Sequence, residues 1–289
     1  MNLLVINKLH HKNLIALKNY KNLNIKFINY IREIDDQDLN KIDCIYSPSE
    51  YFDYNKYKDY KIKFIFGPHF SVFPNINVIN KLISDNTVYV QPSDWVCHLW
   101  KSFSFCDKLN IRTLPFGVDT NKFINDNKIE KDHIIIYYKS RHPNELKQII
   151  DFIKNYEKNI KFFSYNNKYK EEEYLTFLKK AKYGIWLGRH ESQGFALQEA
   201  LSCNVPLLVW DVKTMKQEYG YCYNNNNYAT SIPYWDSYCG EFFYDFNQLE
   251  NTYNIFISKI NDYTPRKYIL DNLTFEKCED KLLNLIKNI

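Results

Sequence analysis

The sequence predicts an α/β protein made of two parallel, doubly wound sheets. Short apolar segments alternate with amphipathic, helix-like segments along most of its 289 residues, and such alternation is typical of parallel sheets flanked by helices. The polar stretch 121–132 interrupts this alternation. A chain of this length is also expected to form about two domains. We therefore predict one α/β domain on each side of residue 125.

The apolar segments give the predicted strands, and the amphipathic segments give the helices. In the first half we predict strands at 3–6, 25–28, 44–46, 63–66, 88–90 and 113–115, and helices at 13–20 and 95–103. In the second half we predict strands at 133–138, 160–164, 184–188 and 206–210, and helices at 144–156, 171–182 and 195–202. Residues 265–289 are helical by pattern.

The composition indicates a globular protein, with 45% hydrophobic and 25% charged residues. Aromatic residues reach 17%, but Lys, Asn, Tyr, Ile and Phe share AT-rich codons, so we attribute this excess to genome composition. The net charge of +4 is spread along the chain. Because nucleic-acid binding normally needs a concentrated basic patch, we predict no nucleic-acid partner.

The cysteines and the apolar runs indicate the cellular compartment in which the protein is expected. Seven cysteines, an odd number without C-x-x-C spacing, indicate reduced core thiols in a cytoplasmic protein. The first apolar run is too short for a signal peptide and is predicted to be a strand. No apolar run approaches the ~20 residues that a membrane-spanning helix needs, so we predict no transmembrane segment. Peripheral contact with a membrane stays open.

The segment 189–211, RHESQGFALQEALSCNVPLLVWD, carries the strongest functional signal. Glu191 and Glu199 are separated by seven residues, and a turn ending at Gly194 precedes a predicted helix. The first N–H groups and the dipole of a helix favour an anion, and flanking carboxylates accept hydrogen bonds from hydroxyl groups. The pattern therefore indicates a diphosphate held between two sugars. An ordinary helix with two solvated glutamates would give the same spacing.

This segment resembles the E-x7-E motif of retaining glycosyltransferases of the GT-B fold, in particular the GT4-like family. The matching residues are Glu191, Gly194-Phe195-Ala196, Glu199-Ala200, Asn204 and Pro206. The resemblance implies an α/β, GT-B architecture in which two Rossmann-like domains face a cleft. It implies an acceptor-side domain at 1–125, a nucleotide-sugar-binding domain at 126–264, and a C-terminal helix, 265–289, that can return to the first domain.

The resemblance also implies residue roles. Glu191 would face the donor hexose, Glu199 would accept hydrogen bonds from the ribose hydroxyls, and backbone N–H groups at the helix start would bind the diphosphate. The implied donor-binding residues are Ser192, Gln193, Gly194, Phe195, Ala196 and Glu199. The base pocket is expected near residues 163–166. Residues 115–119 with Phe123, and the segments 230–240 and 265–276, are also similar to family members. The resemblance covers the second half well and the first half loosely.

The predicted strand 133–138 is followed by Lys139-Ser140-Arg141. Cations at the carboxyl end of a strand can neutralise a departing diphosphate. Family members carry Gly-Arg here, with Lys about five residues later, whereas this chain lacks the glycine and has a different spacing. We predict that Lys139 and Arg141 bind the diphosphate, because residues two apart on a strand share a face. A solvated pair of loop residues is the alternative.

His69 follows a predicted strand within Gly67-Pro68-His69. It is predicted to contact the donor sugar or to act as the base of an inverting variant, although a turn histidine without a role would look the same. His10 and His11 stand where the family has a glycine-rich turn, which puts that phosphate contact in doubt. The acidic run 35–38 lacks a preceding strand. We interpret it as a solvated face and predict no metal site.

The sequence as a whole predicts a glycosyltransferase. It would move a hexose from a nucleotide-diphosphate sugar to a hydroxyl acceptor such as a glycan, a lipid or a protein-linked sugar. We expect retention of configuration, no metal and no cofactor other than the donor substrate. The alternatives are another GT-B-like enzyme, such as a sugar-nucleotide epimerase or a phosphorylase, or a non-catalytic sugar-nucleotide-binding protein. An NAD dehydrogenase is disfavoured because no G-x-G-x-x-G follows a strand.

Overall fold

The computed structural model describes residues 1–125, 128–223 and 226–289, with the backbone alone at position 36. The chain divides into two compact units: Met1–Gly117 with Leu273–Ile289, and Val118–Asn272. The expected divisions at residues 125 and 264 therefore both fall inside the second unit. Residues 126 and 127, where we placed the start of the second domain, lie outside the described residues.

Within the described residues the chain forms strands and α-helices in alternation. The strands are β1 Asn2–Ile6, β2 Asn24–Ile28, β3 Cys44–Ser47, β4 Lys63–Phe66, β5 Thr87–Gln91, β6 Ile111–Thr113, β7 His133–Lys139, β8 Ile160–Ser164, β9 Ala181–Gly188, β10 Leu207–Trp210 and β11 Gly240–Phe243. The helices are α1 His11–Lys18, α2 Asp36–Leu39, α3 Ile76–Ile79, α4 Asp94–Lys101, α5 Pro143–Ile153, α6 Glu171–Lys180, α7 Phe195–Ser202, α8 Leu249–Ser258, α9 Pro265–Asn272 and α10 Phe275–Lys287.

The first unit is built on a six-stranded sheet in the order β2-β1-β3-β4-β5-β6. Every neighbouring pair in this sheet is parallel. All residues of β3 and β5 are buried, as expected for parallel strands that are covered on both faces. The six carboxyl ends share one edge of the sheet, and the turn with His69 follows β4 at that edge.

The last helix packs onto the first unit. Glu279 of α10 is only 2% exposed, and its carboxylate accepts hydrogen bonds from the backbone N–H groups of Asn22 and Leu23 at 2.6 and 2.9 Å. The expected single helix over 265–289 is instead two helices. Thr274 separates them, because its side chain caps the start of α10.

The second unit is built on a five-stranded parallel sheet in the order β11-β10-β9-β7-β8. Its core consists of apolar side chains from the strands and from the helices that cover them. Buried members include Ile134, Ile136, Ile149, Ile153, Tyr183, Ile185, Leu187, Leu208, Trp210, Phe243, Leu249, Tyr253 and Phe256. The chain crosses from β8 to β9 and later to β10, so β7 and β9 lie side by side and their carboxyl ends meet.

Two elements of the second unit were not predicted from the sequence. Among the described residues, β11 pairs with β10 alone, at the sheet edge. It has only four residues, so its hydrophobic signal in the sequence is short. α8 contains Thr252, Ile255 and Ile257, and β-branched residues are poor helix formers. Its helical state follows from packing, because Leu249, Tyr253 and Phe256 are buried.

The described residues contain no helix that is long and apolar enough to cross a lipid bilayer. All seven cysteines are described and are free thiols, and Cys222 alone among them is exposed. Burial raises the pKa of the Cys203 and Cys278 thiols to about 12. Such thiols stay protonated near neutral pH and are poor nucleophiles.

The approach of β11 to β10 gives a stability prediction. Gly240 has a φ of 136°, and a Cβ atom there would lie 2.0 Å from the carbonyl oxygen of Leu207. We expect Gly240→Ala to lower the free energy of unfolding by about 3 kcal/mol or more, because the strands must separate. Urea denaturation measures this loss.

Gly220 offers a matched control for that substitution. Its φ is also positive, 88°, but no described atom lies within 4 Å of its Cβ position. Gly220→Ala should therefore cost only about 1 to 2 kcal/mol, for the left-handed conformation alone. Equal losses in the two variants would contradict the close contact between β10 and β11.

Candidate active site

The centre of the candidate site is an ion pair between Lys139 and Glu191. Lys139 ends β7, and Glu191 follows β9, whose last residue, Gly188, pairs with Lys139. The Lys139 Nζ lies 2.6 Å from the Glu191 Oε1, and the two side chains are only 9% and 14% exposed. The Lys139 ammonium also lies 4.2 Å from the ring centre of Tyr165, which follows β8. Three neighbouring strand ends thus meet at one cation.

The turn after Glu191 leads directly into α7. Gly194 adopts the left-handed conformation, with φ of 77° and ψ of 44°, and is the N-cap of the helix. Its carbonyl accepts the first helical hydrogen bond, from the Gln198 N–H at 3.0 Å. Because the cap is a glycine, it has no side chain to bond the first N–H groups, and the first turn contains no acidic residue. The positive end of the α7 dipole therefore lies beside Glu191.

The other predicted donor-binding residues have different surroundings. Ser192 is exposed, and Phe195 and Ala196 are half-buried. Gln193 is 6% exposed, and its side-chain amide donates to the Oε1 of Gln198 at 3.0 Å. The Gln198 amide in turn donates to the Gln193 carbonyl at 2.6 Å, so the side chain and the carbonyl of Gln193 both join the turn to α7.

Glu199, in the second turn of α7, is 5% exposed. Burial raises the pKa of Tyr169, and the charges of Glu199 and Glu191 raise it further. Both carboxylates therefore lie within electrostatic reach of the same phenol, although seven residues separate them. Between them in the chain lie the turn at Gly194 and the first turn of α7.

Arg141 does not share a face with Lys139, so that expectation is wrong. β7 ends at Lys139, and Ser140 is left-handed with φ of 46°, which rotates the following residue away. The Arg141 side chain is fully buried and donates two hydrogen bonds to Glu145, at 2.8 and 2.9 Å. Two more go to the carbonyls of Gly188 and Trp210, at 3.1 and 2.9 Å. The guanidinium thus ties α5 to the ends of β9 and β10.

Three residues for which no role was predicted from the sequence lie near the ion pair. The Arg189 Nε lies 3.2 Å from Glu218, and the His190 Nε2 lies 3.5 Å from the same carboxylate. Burial lowers the pKa of His190 to about 3, with help from the charges of Arg189 and Lys139. Burial raises the pKa of Glu218 against the lowering effect of Arg189 and Lys139. His190 is therefore neutral and Arg189 is a second cation at the site.

These three residues differ in how far the sequence could have predicted them. Arg189 and His190 adjoin Glu191, so the end of a buried strand was the signal for them. Glu218 follows a 3-10 turn, Met215–Gln217, far along the chain. No spacing links it to the motif, and its place was not predictable.

The region expected to hold the base contains one exposed aromatic residue and one buried one. Phe163 is 4% exposed and packs against Tyr169 and Tyr174. Tyr165 is 51% exposed and lies beside Lys139. Tyr165 is therefore the aromatic residue in this segment that a planar ligand could reach.

His69 belongs to the first unit. It follows β4 and is exposed, and its Nε2 lies 2.9 Å from the side-chain amide nitrogen of Asn13. Asn13 is itself buried, near the start of α1. Although the residue is exposed by surface area, surrounding atoms shield part of the imidazole from water, and this lowers its pKa. A neutral ring that accepts from the Asn13 amide carries its proton on Nδ1.

The acidic segment 35–38 forms the N-cap and most of the short helix α2. Asp35 accepts from the Gln37 N–H at 3.2 Å, and Asp38 pairs with Lys26 and Lys41 at 3.3 and 3.4 Å. Across the part of the chain that the structure describes, no three His, Cys, Asp or Glu side chains cluster as metal ligands would. Metal independence stays a prediction about the reaction.

Arg141 gives a prediction opposite to that for a phosphate-binding residue. We expect Arg141→Met to lower the free energy of unfolding by about 3 kcal/mol or more, because Glu145 and two carbonyls lose their buried partner. Urea denaturation measures the loss. Arg112→Met, at an exposed arginine of β6, is the control and should cost less than about 0.5 kcal/mol. A stable Arg141→Met variant would reopen its direct role.

The buried, neutral His190 predicts a pH-dependent stability. Its pKa is about 3 in the folded protein and about 6.5 when unfolded, so the unfolded chain binds more protons between these values. Stability should therefore fall as pH drops from 6.5 towards 3, by roughly 1 to 2 kcal/mol at pH 5.

The corresponding variant removes this dependence. We expect His190→Gln to flatten the stability change between pH 7 and pH 5, measured by urea denaturation, while His98→Gln on the exposed face of α4 should leave it as in the original protein. The same slope in His190→Gln and the unchanged protein would contradict the burial of a neutral imidazole.

Comparison with known proteins is informative at the level of structure. No family model and no curated protein sequence matches the chain. Among solved structures, the chain is similar to the pneumococcal O-GlcNAc transferase GtfA in complex with UDP and GlcNAc, with 12% identity and a TM-score of 0.50. The match covers 87% of this chain but only 57% of that one.

Two other structures match over almost their whole length. The N-terminal domain of Candida albicans trehalose-6-phosphate phosphatase has a TM-score of 0.60 at 12% identity, over 99% of this chain and 96% of that one. An alpha-glucosyltransferase in complex with UDP and a 13-mer DNA has a TM-score of 0.54 at 12% identity, over 99% of both. Identities this low establish the fold alone. The chain has the GT-B fold, with a parallel α/β sheet in each of its two units.

Proposed function

We propose that the protein is a glycosyltransferase that moves a hexose from a nucleoside-diphosphate sugar to a hydroxyl acceptor, with retention of configuration and without a metal ion. The observation that carries the proposal is the Lys139–Glu191 ion pair beside the start of α7. It combines a cation, a helix N-terminus and a carboxylate at the carboxyl edge of a parallel sheet, where ligands of such sheets bind.

The first step is binding of the diphosphate. The Lys139 ammonium would bond its oxygens, and the N–H groups at the α7 start would add donors and the positive end of the helix dipole. Arg189 supplies the second positive charge in place of Arg141, whose guanidinium is held by structural hydrogen bonds. Its bond to Glu218 keeps it at the end of β9.

The second step is recognition of the two sugars. Glu191 would accept hydrogen bonds from the donor hexose, and Glu199 would accept from the ribose hydroxyls. When the donor enters, a phosphate oxygen can take over the Lys139 ammonium while Glu191 turns to the sugar. The ion pair thus holds both side chains in place before the substrate arrives, which lowers the ordering cost of binding.

The third step is departure of the nucleoside diphosphate. As the anomeric bond breaks, negative charge grows on the phosphate oxygen that joined the sugar. Fixed donors at Lys139 and at the α7 start would stabilise this charge without having to reorganise. The acceptor oxygen then bonds the anomeric carbon, and its proton passes to the phosphate oxygen that has just left that carbon. Retention rests on the resemblance of the E-x7-E motif. A contact of His69 with the donor sugar stays a prediction from the same resemblance.

The structural neighbours support the proposal at the level of their names. Two of the three are sugar transferases seen with UDP, and we infer a nucleotide sugar for this chain as well. The proposed acceptor is a hydroxyl on a glycan, a lipid or a protein-linked sugar, and the proposed location is cytoplasmic, with peripheral membrane contact left open. One neighbour was seen with DNA. The absence of a nucleic-acid partner therefore stays a prediction, and DNA belongs in the acceptor panel that tests it.

A donor screen tests the proposal directly. Thermal shift against a panel of UDP, GDP and ADP sugars should raise the melting temperature with the right donor, because a bound ligand stabilises the folded state. Product analysis without added metal, with and without acceptors, then follows. Sugar transfer supports the proposal. Binding without any turnover would indicate a sugar-nucleotide-binding protein, and reaction with free phosphate would indicate a phosphorylase.

The ion pair gives the activity prediction. We expect Lys139→Met and Glu191→Gln each to lower kcat about 100-fold or more, because each removes a group that faces the departing diphosphate or its sugar. Circular dichroism should show that both variants stay folded. Lys259→Met is the matched control, since it breaks an exposed pair with Glu241 at 3.3 Å. Full activity in both site variants would overturn the assignment.

A further inference from the structure

A buried carboxylate outside the proposed site is connected to it through one loop. Asp211, immediately after β10, is 1% exposed. Its Oδ1 accepts from the Ser231 N–H at 2.6 Å and the Ser231 hydroxyl at 2.8 Å, and its Oδ2 accepts from the Thr230 hydroxyl at 2.8 Å. The Val212 N–H adds a fourth bond at 2.8 Å. Both carboxylate oxygens thus accept hydrogen bonds from nearby residues of the same chain.

The loop that Asp211 binds, residues 230–233, is itself buried at its first three positions. The Thr230 hydroxyl accepts from the Ile232 N–H at 3.0 Å while it donates to Asp211. The loop is therefore held by a hydrogen bond of its own as well as by its bonds to Asp211. We call residues 230–233 the strap.

The strap holds the two parts of the proposed site that carry its chemistry. The Thr230 carbonyl accepts from the Glu191 N–H at 2.9 Å. Pro233 lies 3.7 Å from the Cβ position of Gly194, so its ring packs against the left-handed turn that begins α7. Ser231 lies 3.8 Å from the Cβ position of Gly188, the end of β9. The strap thus contacts the chain before, at and after Glu191.

From this geometry we propose that Asp211 is a positioning residue for sugar transfer, which acts by fixing the strap against Glu191 and Gly194. This inference rests on the proposed function for its catalytic consequence. A displacement of about 1 Å at a reacting group can cost about 100-fold in rate. Asp211 touches no substrate in this scheme, so its loss should affect the placement of the sugar more than the binding of the nucleotide.

Two variants test the proposal at different strengths. Asp211→Asn keeps the shape but places an amide N–H₂ where a hydroxyl or N–H now donates. Thr230→Val leaves the Asp211 carboxylate and its bonds to Ser231 in place, removes the hydroxyl that bonds Asp211 and the Ile232 N–H, and is expected to fold if the first variant does not. The control is Glu279→Gln on α10, which alters an equally buried carboxylate that accepts backbone N–H groups in the other unit.

The first measurement does not depend on activity. Hydrogen exchange followed by mass spectrometry should show the Glu191 amide exchanging about 10-fold faster or more in Asp211→Asn and Thr230→Val, because their strap no longer holds its acceptor in place. Glu279→Gln should leave this amide protected. Unchanged protection in both site variants would overturn the proposal, whether or not the protein transfers sugar.

The second measurement tests the catalytic consequence. We expect Asp211→Asn to lower kcat about 10-fold to 100-fold while the Kd for the free nucleoside diphosphate changes less than about 3-fold. Activity losses in Asp211→Asn and Glu279→Gln that merely follow the unfolded fraction would reduce Asp211 to a structural residue. A wild-type protein without transfer activity would refute the proposed function alone, and the exchange measurement would still decide the role of Asp211.

Discussion

The candidate site depends on the electrostatic contact between an ammonium and a carboxylate at the ends of two adjacent parallel strands. Because β7 and β9 pair in parallel, the carboxyl ends of both strands lie at the same edge of the sheet. Lys139 and Glu191 therefore meet although about 50 residues separate them in sequence. Partial burial strengthens the attraction between the two charges and restricts the motion of both side chains. The glycine turn and α7 follow immediately, so one short segment contains a carboxylate, a helix N-terminus and a second carboxylate.

Around this pair, the second unit uses other buried charges for support. Arg141 joins α5 to the ends of β9 and β10, Glu218 holds Arg189 and His190, and Asp211 holds residues 230–233. Each group is buried and hydrogen-bonded, as the cost of desolvating an ionised group requires. Their partners include side chains and also backbone groups, such as the carbonyls of Gly188 and Trp210 at the ends of β9 and β10. These buried structural charges thus belong to the same unit as the Lys139–Glu191 pair.

Periodicity and turn residues were enough to predict most of the sheets, because buried parallel strands leave continuous apolar runs such as residues 134–137. They were also enough to predict that Glu191 and Glu199 flank a helix start. They failed for Arg141, because the left-handed Ser140 cannot be read from a Lys-Ser-Arg tripeptide. They failed for Glu218 and Asp211, whose importance comes from contacts between distant segments. α8 escaped prediction because tertiary packing overrode its weak helix propensity.

The uneven exposure of the thiols has a practical consequence. Cys222 is exposed, whereas the other six cysteines are buried, and an alkylating dye should react with that one thiol first. The next residue, Tyr223, packs its ring 5.5 Å from that of His190, beside Glu191. A fluorophore on the native protein would thus report from the margin of the site. Its emission could follow the arrival of a nucleotide sugar in real time, without any engineered labelling position.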